Sequence, residues 1–437
     1  MFRCARHLIL IILGVHAAAC HTCSVEYSSQ GPSLLFGGVS SRCVSGCQPR
    51  NRVQPNDWGN VCAFNPNGTV WGVCTAHQAR NSFEFAKKLG GGSILQLSPC
   101  DLVPYLRGRT LWLIGDSHSK TLYRALQCFL YDFWGQSECD ISTDPKDVQD
   151  FSKQPAAAGV SNCFHLAGAG GGRVCIIHVA LTSSLVNSAE VAGGGILPLL
   201  RQRLASPQDI FYVNTGTWHR KTPQWAAEYQ PDLEGLGQYY AATKDAWPHM
   251  LFRETPAIHP ADVARNVCLP LDGYSYDPAS GALNLQASVN DTAAMWASSY
   301  GLNAVLRETL PRFGLYVVPG YNMTAPLVDN HVGMRNTPAL DCLHYCQPGQ
   351  PEAWVWYLYN AMREGRAGIQ ALPLSSSNGS MHKFSSSSST KARHNTHKPR
   401  DSSSTRTAAP AAKVKKASLK QVLGPGHYAC TPSTIRL

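Results

Sequence analysis

Three things are scarce in this chain: long apolar runs, net charge in its body, and paired cysteine or histidine spacings of the metal-finger kind. The N-terminal apolar run, Leu8 to Val15, falls well short of the roughly 20 residues that a membrane-spanning helix needs. Arg3 and Arg6 precede it and Ala17-Ala18-Ala19 follow, which is the charge, core and small-residue order of a secretory signal. Cleavage near Ala19 or Cys20 is therefore expected, with a short uncleaved anchor as the alternative, and the destination is the secretory pathway, either the Golgi lumen or the wall. The formal charge of +10 is not spread over the chain, because residues 374–420 hold ten Lys or Arg against one Asp and the leader holds two Arg. The remaining body is close to neutral, which argues against a nucleic-acid groove, since phosphate tracking needs clustered cations on a folded face. Cys43 and Cys47 have no partner pair at finger spacing, so no metal is expected.

What is present is a large apolar share, 44% of 437 residues, ample for a packed core. Sixteen cysteines suit an oxidising lumen, where disulfides persist; their connectivity cannot be read from spacing alone. Sequons at Asn67, Asn290, Asn322 and Asn378 agree with luminal exposure. Composition divides the chain into a leader (1–19), a Cys-, Gly-, Asn- and Pro-rich lobe with little periodicity (20–98), a regular body (99–370), a Ser/Lys/Arg-rich tract expected to be disordered (371–424) and a short terminal segment with Cys430 (425–437).

Within the body, short apolar runs at 111–114, 173–179, 210–213, 250–253 and 315–318 read as strands. Stretches at 120–131, 224–246, 293–309 and 351–362 read as helices, with Pro231 expected to break the second. Such alternation predicts an α/β fold, a parallel sheet covered by helices on both faces.

The chemistry-bearing residues sit at the ends of these runs. Gly115-Asp116-Ser117 follows the first strand and opens a helix, a turn that lifts a hydroxyl over the carboxyl edge of a sheet beside free helix N–H groups. An alcohol needs a base, and the base an orienting partner. His344 and Asp341, three residues apart, supply both from one turn. Asn214 ends another strand and fits either an oxyanion donor or a loop tie, whereas Arg253 fits either a substrate contact or a structural ion pair. Asp116 is expected to stabilise the helix entrance, and the glycines at 168, 170–172 and 193–195 stand as candidates for a second backbone donor.

These blocks, with Cys100-Asp101-Leu102 and Leu106-Arg107-Gly108-Arg109 before the first and Tyr345-Cys346-Gln347-Pro348-Gly349 and Trp354 after the last, resemble the trichome birefringence-like and PC-esterase family of SGNH-type acyltransferases. The similarity runs from about Pro99 to Met362. It implies a three-layer α/β/α SGNH-like domain, Ser117 as nucleophile, Asp341 and His344 as its triad partners, and transfer of acetyl groups to wall polysaccharide hydroxyls without metal or organic cofactor, the acetyl donor being a co-substrate. Lys120 stands where family members often carry arginine, and Thr217-Trp218-His219 replaces the usual His-Trp pair after Asn214-Thr215-Gly216, departures that bear on acceptor choice more than on chemistry; Lys120, Trp218 and Gly216 are oxyanion or substrate candidates. Cys342 and Cys346 bracket His344 and are expected to anchor its loop by disulfides, with Cys268 as one partner. Two other functions fit the same residues: a carbohydrate acetylesterase, and a non-catalytic glycan-binding wall protein using aromatics such as Trp218 and Trp354. The basic tract suits either a solvated spacer or adhesion to acidic wall polymers.

Overall fold

The computed structural model describes residues 74–89, 97–130, 161–166, 172–287, 292–332 and 340–373, with a few isolated positions and short strand pieces outside these ranges. The leader, Cys43, Cys47, Asn67, Asn290, Asn378, the basic tract and Cys430 lie outside the described residues.

A seven-stranded sheet organises the body. In chain order its strands are β1 (Thr110–Gly115), β2 (Cys139–Asp140), β3 (Ser161–His165), β4 (Arg173–His178), β5 (Ile210–Asn214), β6 (Met250–Arg253) and β7 (Tyr316–Val318). They lie side by side as β7-β6-β5-β1-β4-β3-β2. The pairings from β7 across to β4 are parallel, and β3 and β2 add an antiparallel edge. The sheet is thus mostly parallel instead of wholly so; β3 pairs with β4 through a short link that a parallel crossover, which needs a dozen or more residues, does not permit.

Alternation along β1 divides the core. Leu111 and Leu113 face one apolar cluster, shared with α3 (Ser117–Phe129) and α8 (Gln350–Arg363). Trp112 and Ile114 face the other, shared with α4 (Ile196–Arg203), α5 (Pro223–Thr243) and α7 (Tyr300–Thr309). Helices therefore cover both faces, and all six residues of β1 are buried; complete burial of one such large apolar side chain contributes about 1.5–3 kcal/mol. At the amino ends of the strands Asp209 accepts hydrogen bonds from the Thr110 amide and the Trp112 indole, both at 2.9 Å, which fixes the register of β5 against β1.

Local signals set the helix starts. Ser98 and Asp101 form a reciprocal cap on α2 (Pro99–Leu106), with Pro99 in its first turn. Asp116 caps α3 and Thr222 caps α5.

Three helix expectations need correcting. Pro231 does not break α5, which runs unbroken through it for 21 residues. The proline sits on the exposed side, so the carbonyl deprived of its partner is also on the solvent side, while Tyr229, Leu233, Leu236 and Tyr240 hold the opposite side in the core. The stretch read as one helix at 293–309 is two, α6 (Thr292–Ala297) and α7, separated at Ser299, whose φ of 71° is left-handed. Nothing in its periodicity marks that break. The lobe read as loop-rich carries a 14-residue helix, α1 (Ala76–Leu89), with Phe85 and Ala86 packed into the main core. Among the described residues no helix is long and apolar enough to cross a membrane.

Candidate active site

Taking the five parallel strands alone, successive strands after β4 are laid down on the other side of β1, so the chain direction across the sheet reverses there. The carboxyl ends of strands beside such a reversal form the crevice where ligands bind in open α/β sheets. Gly115 ends β1, opposite Asn214 of β5 on one side and His178 of β4 on the other. A side chain at 115 would collide with the Asn214 carbonyl and with the Ser119 hydroxyl, so only glycine permits this close passage. Asp116 then accepts a hydrogen bond from the His118 amide at 2.9 Å and Ser117 occupies the first helical position of α3. The sequence-based expectation for Asp116, a role at the helix entrance, matches this geometry. Burial raises the Asp116 carboxyl above its ordinary range, against the opposing pull of the His118 amide and the Arg253 charge.

The partner segment arrives from 227 residues later in the chain. His344 Nε2 lies 2.7 Å from Ser117 Oγ, and His344 Nδ1 lies 2.7 Å from Asp341 Oδ2. The other Asp341 oxygen accepts the Leu343 and His344 amides, each at 3.0 Å. This closes a tight turn that presents carboxylate and imidazole together. Burial works to raise the Asp341 carboxyl, but the hydrogen bond and charge of His344 and the two amides outweigh it, and the group sits below its ordinary range. With Asp341 ionised and accepting from Nδ1–H, the imidazole presents the Nε2 lone pair to the Ser117 hydroxyl.

Disulfides hold this turn from both sides. Cys342 is bonded to Cys268, the partner assumed from the sequence, and Cys346 is bonded to Cys74. Cys268 belongs to a small hairpin, Ala261–Asp262 with Val267–Cys268, and Cys74 precedes α1. A third bond joins Cys163 to Cys175 across β3 and β4.

The remaining candidates divide. Asn214 is buried, its side-chain N–H groups donating to the Arg253 carbonyl at 3.0 Å and the Glu254 carbonyl at 3.3 Å, and its oxygen accepting from Arg253 Nη2 at 2.8 Å. Of its two expected roles, the tie is the one realised, because its donors are spent on those carbonyls. Arg253 is buried, bonded to Asn214 and stacked 4.4 Å from the Trp354 ring; among the described residues it forms no ion pair. Burial lowers its guanidinium below its ordinary range, although Tyr212 and Asp116 counteract. Gly216 is packed against the Thr255 hydroxyl and Tyr229. Lys120 is exposed on α3, close enough that its charge, after burial, helps lower the His178 imidazole. Trp218 is half-buried under Lys221, whose ammonium lies 3.3 Å from the ring centre. Trp354 is wholly buried and so is not a stacking surface for sugar. Asn322 is exposed on a turn. Gly172 precedes β4 at the amino edge of the sheet, the wrong end for an oxyanion donor, and Gly195 is wedged against Leu185 and Val186.

Sequence reasoning missed three histidines. His118, beside the serine, is wholly buried with its ring 5.5 Å from that of His344, and burial, with the His344 and Arg253 charges, drives it far below its ordinary range. His331 Nδ1 lies 3.1 Å from the His344 carbonyl and its Nε2 2.6 Å from His259 Nδ1. No periodicity or spacing distinguishes these three; only the Ser117-His118 adjacency carried a hint. Among the described residues no group of three or more His, Cys, Asp or Glu is placed to hold a metal ion.

Outside the triad opens a cleft of about 1000 Å³, lined by Asp341, His344, Arg220, Lys221, Pro260 and Leu271 among others. Compared with known proteins, the chain matches no family model and no curated protein.

Proposed function

We propose that this protein is a serine-dependent O-acyltransferase that moves an acetyl group, through an acetyl-Ser117 intermediate, onto a hydroxyl of an extracellular or wall polysaccharide. One observation carries the reading: the unbroken hydrogen-bonded chain from Ser117 through His344 to Asp341 at the carboxyl edge of β1. The resemblance of the Gly-Asp-Ser and Asp-Cys-Leu-His blocks to SGNH-type acetyltransferases supplies the acyl group and the acceptor class.

In the first half-reaction His344 Nε2 takes the Ser117 proton as Oγ attacks the acetyl carbonyl. The Ser117 amide, at the first position of α3 and thus without an intrahelical acceptor, faces the developing oxyanion together with the helix dipole. The leaving group departs with the proton from His344, giving acetyl-Ser117 and a neutral imidazole. A sugar hydroxyl then gives its proton to His344 and attacks, and collapse returns that proton to Ser117. Asp341 remains ionised throughout and stabilises the transient imidazolium.

Intact-mass measurement after exposure to an acetyl pseudo-donor tests the reading. A single acetyl adduct is expected on the native chain and none on Ser117→Ala; equal labelling of both would discard the mechanism. Adding candidate glycans then separates acetylated glycan, the product of transfer, from free acetate, the product of an esterase.

A further inference from the structure

Arg220 and Lys221 follow one another on the wall of the triad cleft, and among the described residues neither forms an ion pair. Arg220 is half-buried, its Nε buried without a hydrogen-bond partner. Burial lowers its guanidinium, and no carboxylate counteracts this. Lys221 is lowered too, first by burial and then by the Arg220 charge. Two adjacent like charges thus sit unneutralised at a partly desolvated wall, an arrangement that costs free energy until an anion fills it. The cleft's own carboxylates do not serve: Asp341 is committed to His344, and Asp272 is exposed and paired with neither cation. The charge also reaches the reacting end of the cleft, because Arg220 contributes to lowering His118, the residue after Ser117.

We infer that Arg220 and Lys221 form a carboxylate-reading subsite, so that the preferred acceptor is a uronate-bearing polysaccharide laid along this cleft. The guanidinium offers its free N–H groups to a sugar carboxylate. The ammonium, held over the Trp218 ring, adds a second positive charge, and Pro260 and Leu271 supply apolar wall for the faces of the sugar rings. The assignment of this anionic sugar as acceptor rests on the acyl-transfer reading, but its binding does not require turnover.

The test uses the full chain without donor, titrated with an oligogalacturonate and with the same oligosaccharide after carboxyl reduction. The native protein is expected to bind the charged form about tenfold more tightly, a margin of roughly one charge-assisted contact. The Arg220→Gln/Lys221→Gln variant should lose that preference, whereas Arg220→Lys/Lys221→Arg should keep it, which separates loss of charge from loss of folding. Equal binding of the two sugars by the native chain overturns the subsite. So does a preference that survives in the glutamine variant, which would assign it to the basic residues between 374 and 420. In a separate titration with acetyl phosphate alone, loss of its binding in the glutamine variant with oligogalacturonate binding intact also overturns the subsite, by assigning the anion to the donor. If the charged-sugar preference depends on the pair while Ser117 never acquires an acetyl group, the subsite stands and the proposed reaction falls.

Discussion

Asp341→Asn is the sharpest perturbation of the proposed mechanism, because the two carboxylate oxygens have different work. Oδ1 receives two backbone amides at 3.0 Å and Oδ2 receives the imidazole at 2.7 Å. An asparagine can keep its oxygen on the amides, which preserves the turn, but its NH₂ then faces His344 Nδ1. The imidazole must answer with a lone pair at Nδ1, moving its proton to Nε2, which then donates to the Ser117 hydroxyl instead of accepting its proton. Reversing the amide would instead set its NH₂ against two backbone N–H groups, leaving those donors unsatisfied at about 1–3 kcal/mol each. The first arrangement is preferred, and the serine loses its base. We expect kcat for acetyl transfer to fall by about 10³–10⁴, or roughly 4–5.5 kcal/mol, with KM for donor and acceptor little changed and the thermal unfolding profile retained. The pH dependence follows in sign. The folded carboxyl lies below the ordinary aspartate range, so its stabilising contribution is complete above that range and is lost as pH falls through the folded value. Asparagine removes this acid-side loss. A decrease in kcat of less than tenfold, with folding intact, would show that Asp341 does not set the imidazole tautomer.

Three further outcomes are expected. Mild reduction that opens Cys268–Cys342 and Cys74–Cys346 should lower turnover before far-ultraviolet dichroism reports loss of the sheet; unchanged turnover with both bonds shown open by mass spectrometry would refute that coupling. Gly115→Ala should destabilise the fold by about 2–3 kcal/mol in denaturant titrations, since β1 and the Asn214 carbonyl must separate to admit a methyl group; a loss below 0.5 kcal/mol would mean the backbone yields there easily. Glu352 is wholly buried beneath the first turn of α8, and burial raises its carboxyl to about 8, against the opposing Gly349 amide. The unfolded chain sheds this proton near the ordinary glutamate value and the folded chain only near 8, so stability should fall with pH across that interval, with a limiting slope of roughly 1.4 kcal/mol per unit. Glu352→Gln should flatten the Glu352 part of that slope in melts between pH 5 and 8, and an unaltered slope would mean that Glu352 titrates normally.

Whereas the antiparallel β3 (Ser161–His165) and β2 (Cys139–Asp140) carry no apolar run and left no signature in the chain, the five parallel strands were legible because each is a short apolar run. The parallel edge and the two-faced cover followed from their alternation with helices. Features decided by a single backbone angle or by remote packing were not legible. The break at Ser299 depends on a left-handed residue, the persistence of α5 through Pro231 on which side of the helix meets solvent, and α1 on a core formed far along the chain. Ser117, Asp341 and His344 could be named because their chemistry demands specific side chains in recognisable blocks. His118, His331 and His259 could not, since a buried histidine is defined by its surroundings. Asn214 shows the boundary between these cases: the sequence located it at a strand end but left open where its amide would point.

The two cross-links on the His344 turn set an order of events in the life of the molecule. The nucleophile belongs to the first strand and helix of the sheet, but its base and that base's carboxylate come after every other strand. They are fastened to Cys74, upstream of the sheet, and to Cys268, in the small hairpin between β6 and β7. Under the proposed mechanism, a chain still being made therefore carries a serine with no base, and a finished chain still in its reduced form carries a base on an unfastened turn. On that mechanism full competence comes last, after synthesis and oxidation are both complete, and the proposed nucleophile is expected to stay inert toward acyl donors during folding.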